Sequence, residues 1–137
     1  MTHVETHSHG EIVEIKLARA PVNALDPKLC NAAREALESA VHHGAQAIVL
    51  SGGPKVFSAG LDVPYLLTLD AAGLREAWEA FFLAARALAA SPVPVVSAVG
   101  HETGSESGKV DSMSDWRSMM MASATPFINL LSVIDVI

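Results

Sequence analysis

Cys30 is the only cysteine among 137 residues, so the chain can form neither an intrachain disulfide nor a multi-cysteine zinc site. Within a helical pattern this thiol reads as core or spacer, compatible with a reducing compartment. Basic residues are also scarce: 9 Lys and Arg against 15 Asp and Glu give a formal net charge of -6. With no dense Lys/Arg stripe, a nucleic acid would meet uncompensated repulsion, and none is expected as a partner. An anionic small molecule differs, because a few local cations and backbone N–H groups hold phosphates even on an acidic protein. Lys16, Arg19 and Lys55 are such cations. No apolar stretch approaches the roughly 18 residues of a membrane span. The start, Met1-Thr2-His3-Val4-Glu5-Thr6-His7-Ser8-His9, has no basic n-region, no apolar h-region and no Arg-rich amphipathic presequence. The expectation is a cytoplasmic protein without membrane association.

What is present suits one globular α/β domain: half the residues are hydrophobic and 18% are charged, far from the composition of disordered chains. Residues 1–9 read as a polar tail whose His3, His7 and His9 are better explained by solvation than by metal, so no metal is expected. In Glu11-Ile12-Val13-Glu14-Ile15-Lys16-Leu17 the alternation of apolar and polar residues predicts a half-buried strand. Asp26-Pro27 supplies an N-cap and a first-turn proline for a helix running to about His43, where Gly44 ends it. The two histidines at that end, His42 and His43, suit the negative end of the helix dipole.

Ala45-Gln46-Ala47-Ile48-Val49-Leu50 predicts a buried strand feeding a loop, and a helix capped by Asp70 follows through Ala90. Its apolar stripe is Leu74, Trp78, Phe81, Phe82, Ala85 and Leu88. Ser91-Pro92 breaks that helix, and Val93-Pro94-Val95-Val96-Ser97-Ala98-Val99 predicts another strand. Strand, helix, strand, loop, helix, strand is the order of α/β layering with crossover connections. After Gly100-His101 the composition turns to Ser, Gly and charge over residues 102–118, which reads as a divergent, partly disordered tail. The hydrophobic closing segment from Phe127 fits strand or short helix equally.

Chemistry points to one loop, Ser51-Gly52-Gly53-Pro54-Lys55-Val56-Phe57-Ser58-Ala59-Gly60-Leu61-Asp62. Small residues at Ser58, Ala59 and Gly60 allow close backbone approach to a ligand, and residues 61–67 could open a short helix facing the same point. For a thioester ligand, a backbone N–H from such a turn stabilises the enolate oxygen, by roughly 3–4 kcal/mol per donor. Taken alone, such a turn is more readily structural than functional.

Four blocks in order carry more: Ala20-Pro21-Val22-Asn23-Ala24-Leu25; Ile48-Val49-Leu50-Ser51-Gly52; Val56-Phe57-Ser58-Ala59-Gly60-Leu61-Asp62; and Val93 through His101. Across about residues 10–101 they resemble the enoyl-CoA hydratase/isomerase, or crotonase, family. The Ser-Ala-Gly-Leu-Asp form is most similar to its Δ3,Δ2-enoyl-CoA isomerase branch. The resemblance implies a spiral of strand-strand-helix units, trimeric or other homo-oligomeric assembly, and an oxyanion hole of two backbone N–H groups. By motif position Ala59 would be the first donor. Ser58, Ala59, Gly60, Leu61 and Asp62 would line the CoA and thioester site, and Ala20 and Val22 would lie along the CoA arm. Lys55 or Arg19 would sit near its phosphates. Leu66, Trp78 and Phe82 would border the acyl pocket, plain helix packing being the other account of Trp78 and Phe82. No separate cofactor is implied, since CoA is part of the substrate.

The same resemblance implies a Gly-rich turn and helix after Gly100, bearing the second donor and the catalytic carboxylates. Here Glu102-Thr103-Gly104-Ser105-Glu106-Ser107-Gly108 follows, and without gaps the donor glycine's position holds Glu106. A carboxylate there opposes an enolate, and its side chain obstructs the approach that glycine permits. Glu102 and Glu106 have helical spacing, yet their polar surroundings offer no frame to tune them as acid and base, and Glu76 and Glu79 read as surface charges. Two expectations result. One is a family member that binds acyl-CoA and is truncated or altered after His101, hence impaired. The other is a non-catalytic interaction or regulatory module, associating with a full-length relative or another partner through uncovered apolar faces.

Overall fold

The computed structural model describes residues 3–98. A four-stranded sheet in the order β1 (Val4–His9), β2 (Ile12–Leu17), β3 (Ala47–Ser51), β4 (Val95–Ala98) forms one layer. Helices α1 (Pro27–His42) and α3 (Ala71–Ala89) form the other, with a single turn, α2 (Val63–Leu66), between β3 and α3. β1 and β2 are an antiparallel hairpin; β2, β3 and β4 run parallel, so helical crossovers must join them. This is the α/β architecture expected. The divergent tail proposed from residue 102 onward lies outside the described residues.

The alternation in β2 decides which face meets the helices. Ile15 and Leu17 enter one cluster with Ile48 and Leu50 of β3, Val95 of β4, and Leu29, Leu37 and Ala40 of α1. Ile15, Leu29 and Ile48 are completely buried, and each such side chain contributes about 1.5–3 kcal/mol relative to exposure. The opposite face mixes a small buried group, Ile12, Ala47 and Val49, with a polar row in which Ser51 donates to Glu14 at 2.6 Å and His9 lies 3.5 Å from its other oxygen. Burial pushes the Glu14 carboxyl up, but the hydrogen bonds from Ser51 and His9 and the charges of His7 and His9 outweigh it and leave the pKa lowered.

The helices start where their caps dictate. Asp26 accepts from the Leu29 N–H at 2.8 Å with Pro27 in the first turn, and Asp70 accepts from the Gly73 N–H at 2.8 Å. One expectation is corrected: the polar segment read as a tail holds β1. Its side chains at Glu5, Thr6, His7, Ser8 and His9 are exposed, so no apolar alternation announces it. Its pairing comes from the two-residue connection Gly10-Glu11, where Gly10 has φ of 64°. Glycine first in a two-residue hairpin loop is the signal that reveals such a strand.

The loop after β3 depends on Gly52. A Cβ there would lie 2.5 Å from both the Cα and the carbonyl oxygen of Phe57, and the turn is closed by Gly53 N–H donating to Val56 at 3.0 Å. Because the obstacle is backbone, it cannot swing away. Gly52→Ala should therefore lower unfolding free energy by about 1–3 kcal/mol, read as a lower urea midpoint at unchanged slope; an unchanged midpoint would refute the close approach.

Candidate functional site

Two segments that are far apart in sequence, 18–25 and 57–62, are fastened side by side at the carboxyl ends of the strands. Asn23 is buried and lies in the left-handed region at φ of 51°, a conformation that asparagine tolerates better than most residues. Its side-chain oxygen accepts from the Arg19 N–H at 2.8 Å, and its amide donates to the Phe57 carbonyl at 3.0 Å. The Ser58 hydroxyl donates to the Asn23 carbonyl at 2.7 Å and accepts from the Gly60 N–H at 3.1 Å. Arg19 adds charge: its guanidinium donates to the Ala24 carbonyl at 2.6 Å, to Asp62 at 2.7 Å, and lies 3.4 Å from Asp26. Asp26 and Asp62 are the N-caps of α1 and α2. One cation thus ties together the starts of two helices.

The Arg19 hydrogen bond holds the Asp62 carboxyl below the usual carboxylate range, aided by the Tyr65 N–H it accepts at 3.1 Å. Arg19 is therefore committed to protein carboxylates, away from the phosphate role sketched from sequence. Lys55 is exposed on the 52–57 turn and has no ion pair among the described residues, which leaves it able to meet an anion. Ala20 and Val22 are exposed on the 18–25 segment.

The donor expected at Ala59 is corrected by the same network. Ala59 N–H donates to the Val22 carbonyl at 2.9 Å, so it is spent on joining the two segments. Leu25 N–H donates to the Gly60 carbonyl at 2.7 Å and Asp62 N–H to the Leu25 carbonyl at 2.9 Å, a parallel bridge between Leu25 and Leu61. In such a bridge the central residue turns its own N–H away from its partner. Among the described residues nothing accepts from the Leu61 N–H. Leu61, two positions on, is a donor this turn leaves available; the register of the bridge, invisible in sequence, distinguishes it from Ala59. Gly60, at φ of 81°, makes the reversal between them.

Residues 7–119 match the family model of enoyl-CoA hydratase/isomerase. The chain belongs to that family. The match extends beyond the blocks recognisable by eye, which end near His101. Among solved structures, the fold is similar to DspI of Pseudomonas aeruginosa, with 27% identity, a TM-score of 0.67, and 74% of this chain covering 42% of that one. Two structures from Mycobacterium tuberculosis are each 28% identical: a probable enoyl-CoA hydratase (TM-score 0.65, 69% of this chain and 40% of that chain) and an enoyl-CoA isomerase (0.63, 70% and 41%). The chain therefore spans about two fifths of the length of these structures. No curated protein matches the chain closely enough to carry a comparison.

Beneath the turn lies an apolar cavity of about 90 Å³. Leu17, Leu50 and Ser97 of the sheet form its floor, Leu29, Cys30 and Ala33 of α1 one wall, and Phe81, Ala84, Ala85 and Leu88 of α3 the other. Leu25, Phe57, Ser58 and Gly60 complete it. Left unfilled, about 90 Å³ of cavity costs about 2 kcal/mol. Burial, helped by Asp26, pushes the Cys30 thiol up to about 11, so it stays neutral here and serves as apolar wall.

The acyl-pocket trio of the sequence reading sits elsewhere. Trp78 and Phe82 stack at 5.8 Å on the outer side of α3, 42% and 62% exposed, so they neither line this cavity nor pack into the core. Ala77 and Ala80 are the residues α3 buries most. Leu66 is half-buried in α2 and does not line the cavity either. Among the described residues no cluster of three His, Cys, Asp or Glu could hold a metal, and no helix is long and apolar enough to cross a membrane.

Linkage gives the clasp a pH signature. Asp62 is depressed in the folded state, so its contribution is complete above the unfolded value near pH 4 and is lost as pH falls through the lower folded value. Arg19→Gln should lower stability at pH 7 and flatten the loss below about pH 4, as measured by urea unfolding across pH; parallel profiles for the two proteins would contradict the assignment.

Proposed function

We propose that the chain binds acyl-CoA thioesters, with the thioester oxygen accepting from the Leu61 N–H and the CoA arm running along Ala20 and Val22 towards Lys55. The observation that carries this reading is the Leu61 N–H, which has no acceptor among the described residues while its neighbours Ala59, Gly60 and Asp62 all donate inside the protein. A donor held rigid before the ligand arrives needs no reorganisation when charge develops on the oxygen, which is what makes such donors effective. Ser58, Gly60 and Asp62 then act as supports: the hydroxyl and carboxylate fix the turn, and glycine permits its reversal. CoA enters as part of the ligand, so no separate cofactor is invoked.

The reaction class this supports is that of enoyl-CoA chemistry, with the Ser58-Ala59-Gly60-Leu61-Asp62 form favouring double-bond isomerisation over hydration. A family domain needs a second donor and a carboxylate to move a proton at the substrate carbon. Glu106 at the second donor's position supports a chain that binds without efficient turnover. A cytoplasmic, homo-oligomeric protein fits this reading. The exposed aromatic pair Trp78 and Phe82, with Leu83 40% exposed beside them, favours one alternative: a non-catalytic module that covers this face with a full-length relative or another partner.

Calorimetric titration of the full chain with CoA and with crotonyl-CoA, beside assays of hydration and double-bond migration, separates these. Binding of both ligands with turnover about 10²–10³-fold below a competent enzyme is expected, on the scale of losing one oxyanion donor. Failure to bind either ligand would remove the proposal and leave the interaction module; robust turnover would refute the impairment.

A further inference from the structure

β1 forms one edge of the sheet, and half of its backbone hydrogen-bonding groups point away from β2. The phase is set at the start of the hairpin. Ala18 N–H donates to the His3 carbonyl at 2.8 Å, so in the register that pairs Val4 with Leu17 the hydrogen-bonded pairs are Glu5–Lys16, His7–Glu14 and His9–Ile12. Val4, Thr6 and Ser8 therefore turn their N–H and C=O groups outward, and among the described residues no strand pairs with that side. Such edges are ordinarily blunted by proline, lysine or a bulge. Val4–His9 has neither proline nor lysine, and its register of six residues runs without interruption.

The same strand walls a cleft of about 470 Å³ against the last turns of α1, where Thr6, Ser8, Glu11, Ser39, His43 and Gly44 form part of the lining. The cleft sits at the amino ends of β2 and β3, the end of the sheet opposite the 57–62 turn. Its chemistry suits a cation. His43 Nδ1 donates to the Ser39 carbonyl at 2.7 Å, which makes Nε2 of the neutral ring an acceptor. Three hydroxyls add acceptors, α1 ends here with the negative end of its dipole, and the lining includes Glu11 but no Lys or Arg.

We propose that this edge binds an extended basic peptide, which adds an antiparallel strand to β1 and places an arginine or lysine in the cleft. Geometry couples the two contacts. Directly opposed residues of antiparallel strands share a face, so the residues of the added strand that bond to Val4, Thr6 and Ser8 put their side chains on the helix side, where the cleft lies. Main-chain bonds then supply affinity, and the side chains at alternate positions supply selection. Charge favours a basic strand at long range too, since the chain carries a formal net charge of -6. A second copy of β1 is a poorer occupant: it would present Val4, Thr6 and Ser8 to the cleft, none of which carries the charge the lining calls for. Nothing in this site involves the 57–62 turn, so it stands or falls apart from acyl-CoA binding.

The test is fluorescence anisotropy of the full chain with a labelled peptide of alternating arginine and threonine, matched in length to β1. Its comparators are the glutamate–threonine peptide and the arginine–threonine peptide N-methylated either at its arginines or at its threonines. The basic peptide is expected to bind at least about tenfold tighter than the acidic one, the scale of one charge-assisted hydrogen bond. Methylation at the arginines removes the N–H groups that face β1 and should abolish binding; methylation at the threonines leaves those groups in place and should not. Thr6→Pro deletes an outward N–H that the β1–β2 ladder does not use, and Ser39→Lys puts a cation at the exposed rim of the cleft. Each should weaken the basic peptide by about tenfold or more and leave a CoA titration unchanged, and the helix-surface variant keeps the test open if the proline variant fails to fold. Equal binding of the basic and acidic peptides, or binding indifferent to methylation at arginine, would overturn the proposal, as would no binding of the basic peptide. Concentration-dependent dimers in sedimentation that Thr6→Pro dissolves would give the edge to a second copy and overturn it as well.

Discussion

Arg19 holds the carboxyl end of this sheet together. Its guanidinium meets the capping carboxylates of α1 and α2 and the Ala24 carbonyl, while its backbone N–H anchors the Asn23 side chain. Without it, two aspartates would be left facing each other in a partly buried space, and the caps that start both helices would compete with their mutual repulsion. Removing one partner from such an arrangement is costlier than never having built it, because the remaining charges lose their compensation. Asn23 extends the constraint from charge to backbone, through the Phe57 carbonyl on one side and the Ser58 hydroxyl on the other.

What this fastening produces is selective exhaustion of the turn's hydrogen-bonding groups. Ala59 N–H, Gly60 N–H, Asp62 N–H and the Gly60 carbonyl all find partners inside the protein. Leu61 N–H is left over because it is the central residue of a parallel bridge, not because its own side chain is special. The chemistry proposed for the turn follows from that arithmetic of donors. Under the proposed reading, a thioester oxygen would accept from that N–H where a neighbouring strand would otherwise do so.

Much of the architecture was legible in the sequence because local signals agreed with tertiary demands. Asp26-Pro27 and Asp70 started helices where they should, and the Ile15 and Leu17 alternation chose the buried face of β2. β1 was not legible from hydrophobicity, since an edge strand with exposed side chains carries no alternation and is held by its ladder and its Gly10 turn. The site was legible as a region and misread in detail. Which N–H is free depends on the Leu25–Leu61 register, a contact across thirty-six positions of sequence that no local pattern encodes. The stripe on α3 was similarly ambiguous: it is broad enough that helical periodicity alone cannot say which edge meets α1, and the small alanines, rather than Trp78 and Phe82, face inward.

The central claim is that Leu61, and not Ala59, meets the thioester oxygen, and amide NMR of this 14.4 kDa chain addresses it directly. With ¹⁵N-labelled protein, addition of a non-hydrolysable acyl-CoA thioester analogue retaining the carbonyl should move the Leu61 amide proton downfield, as a new hydrogen bond requires. CoA alone should leave it in place, and Ala59, bonded to Val22 throughout, should shift little with either. A downfield shift at Ala59 with Leu61 unmoved would contradict the account.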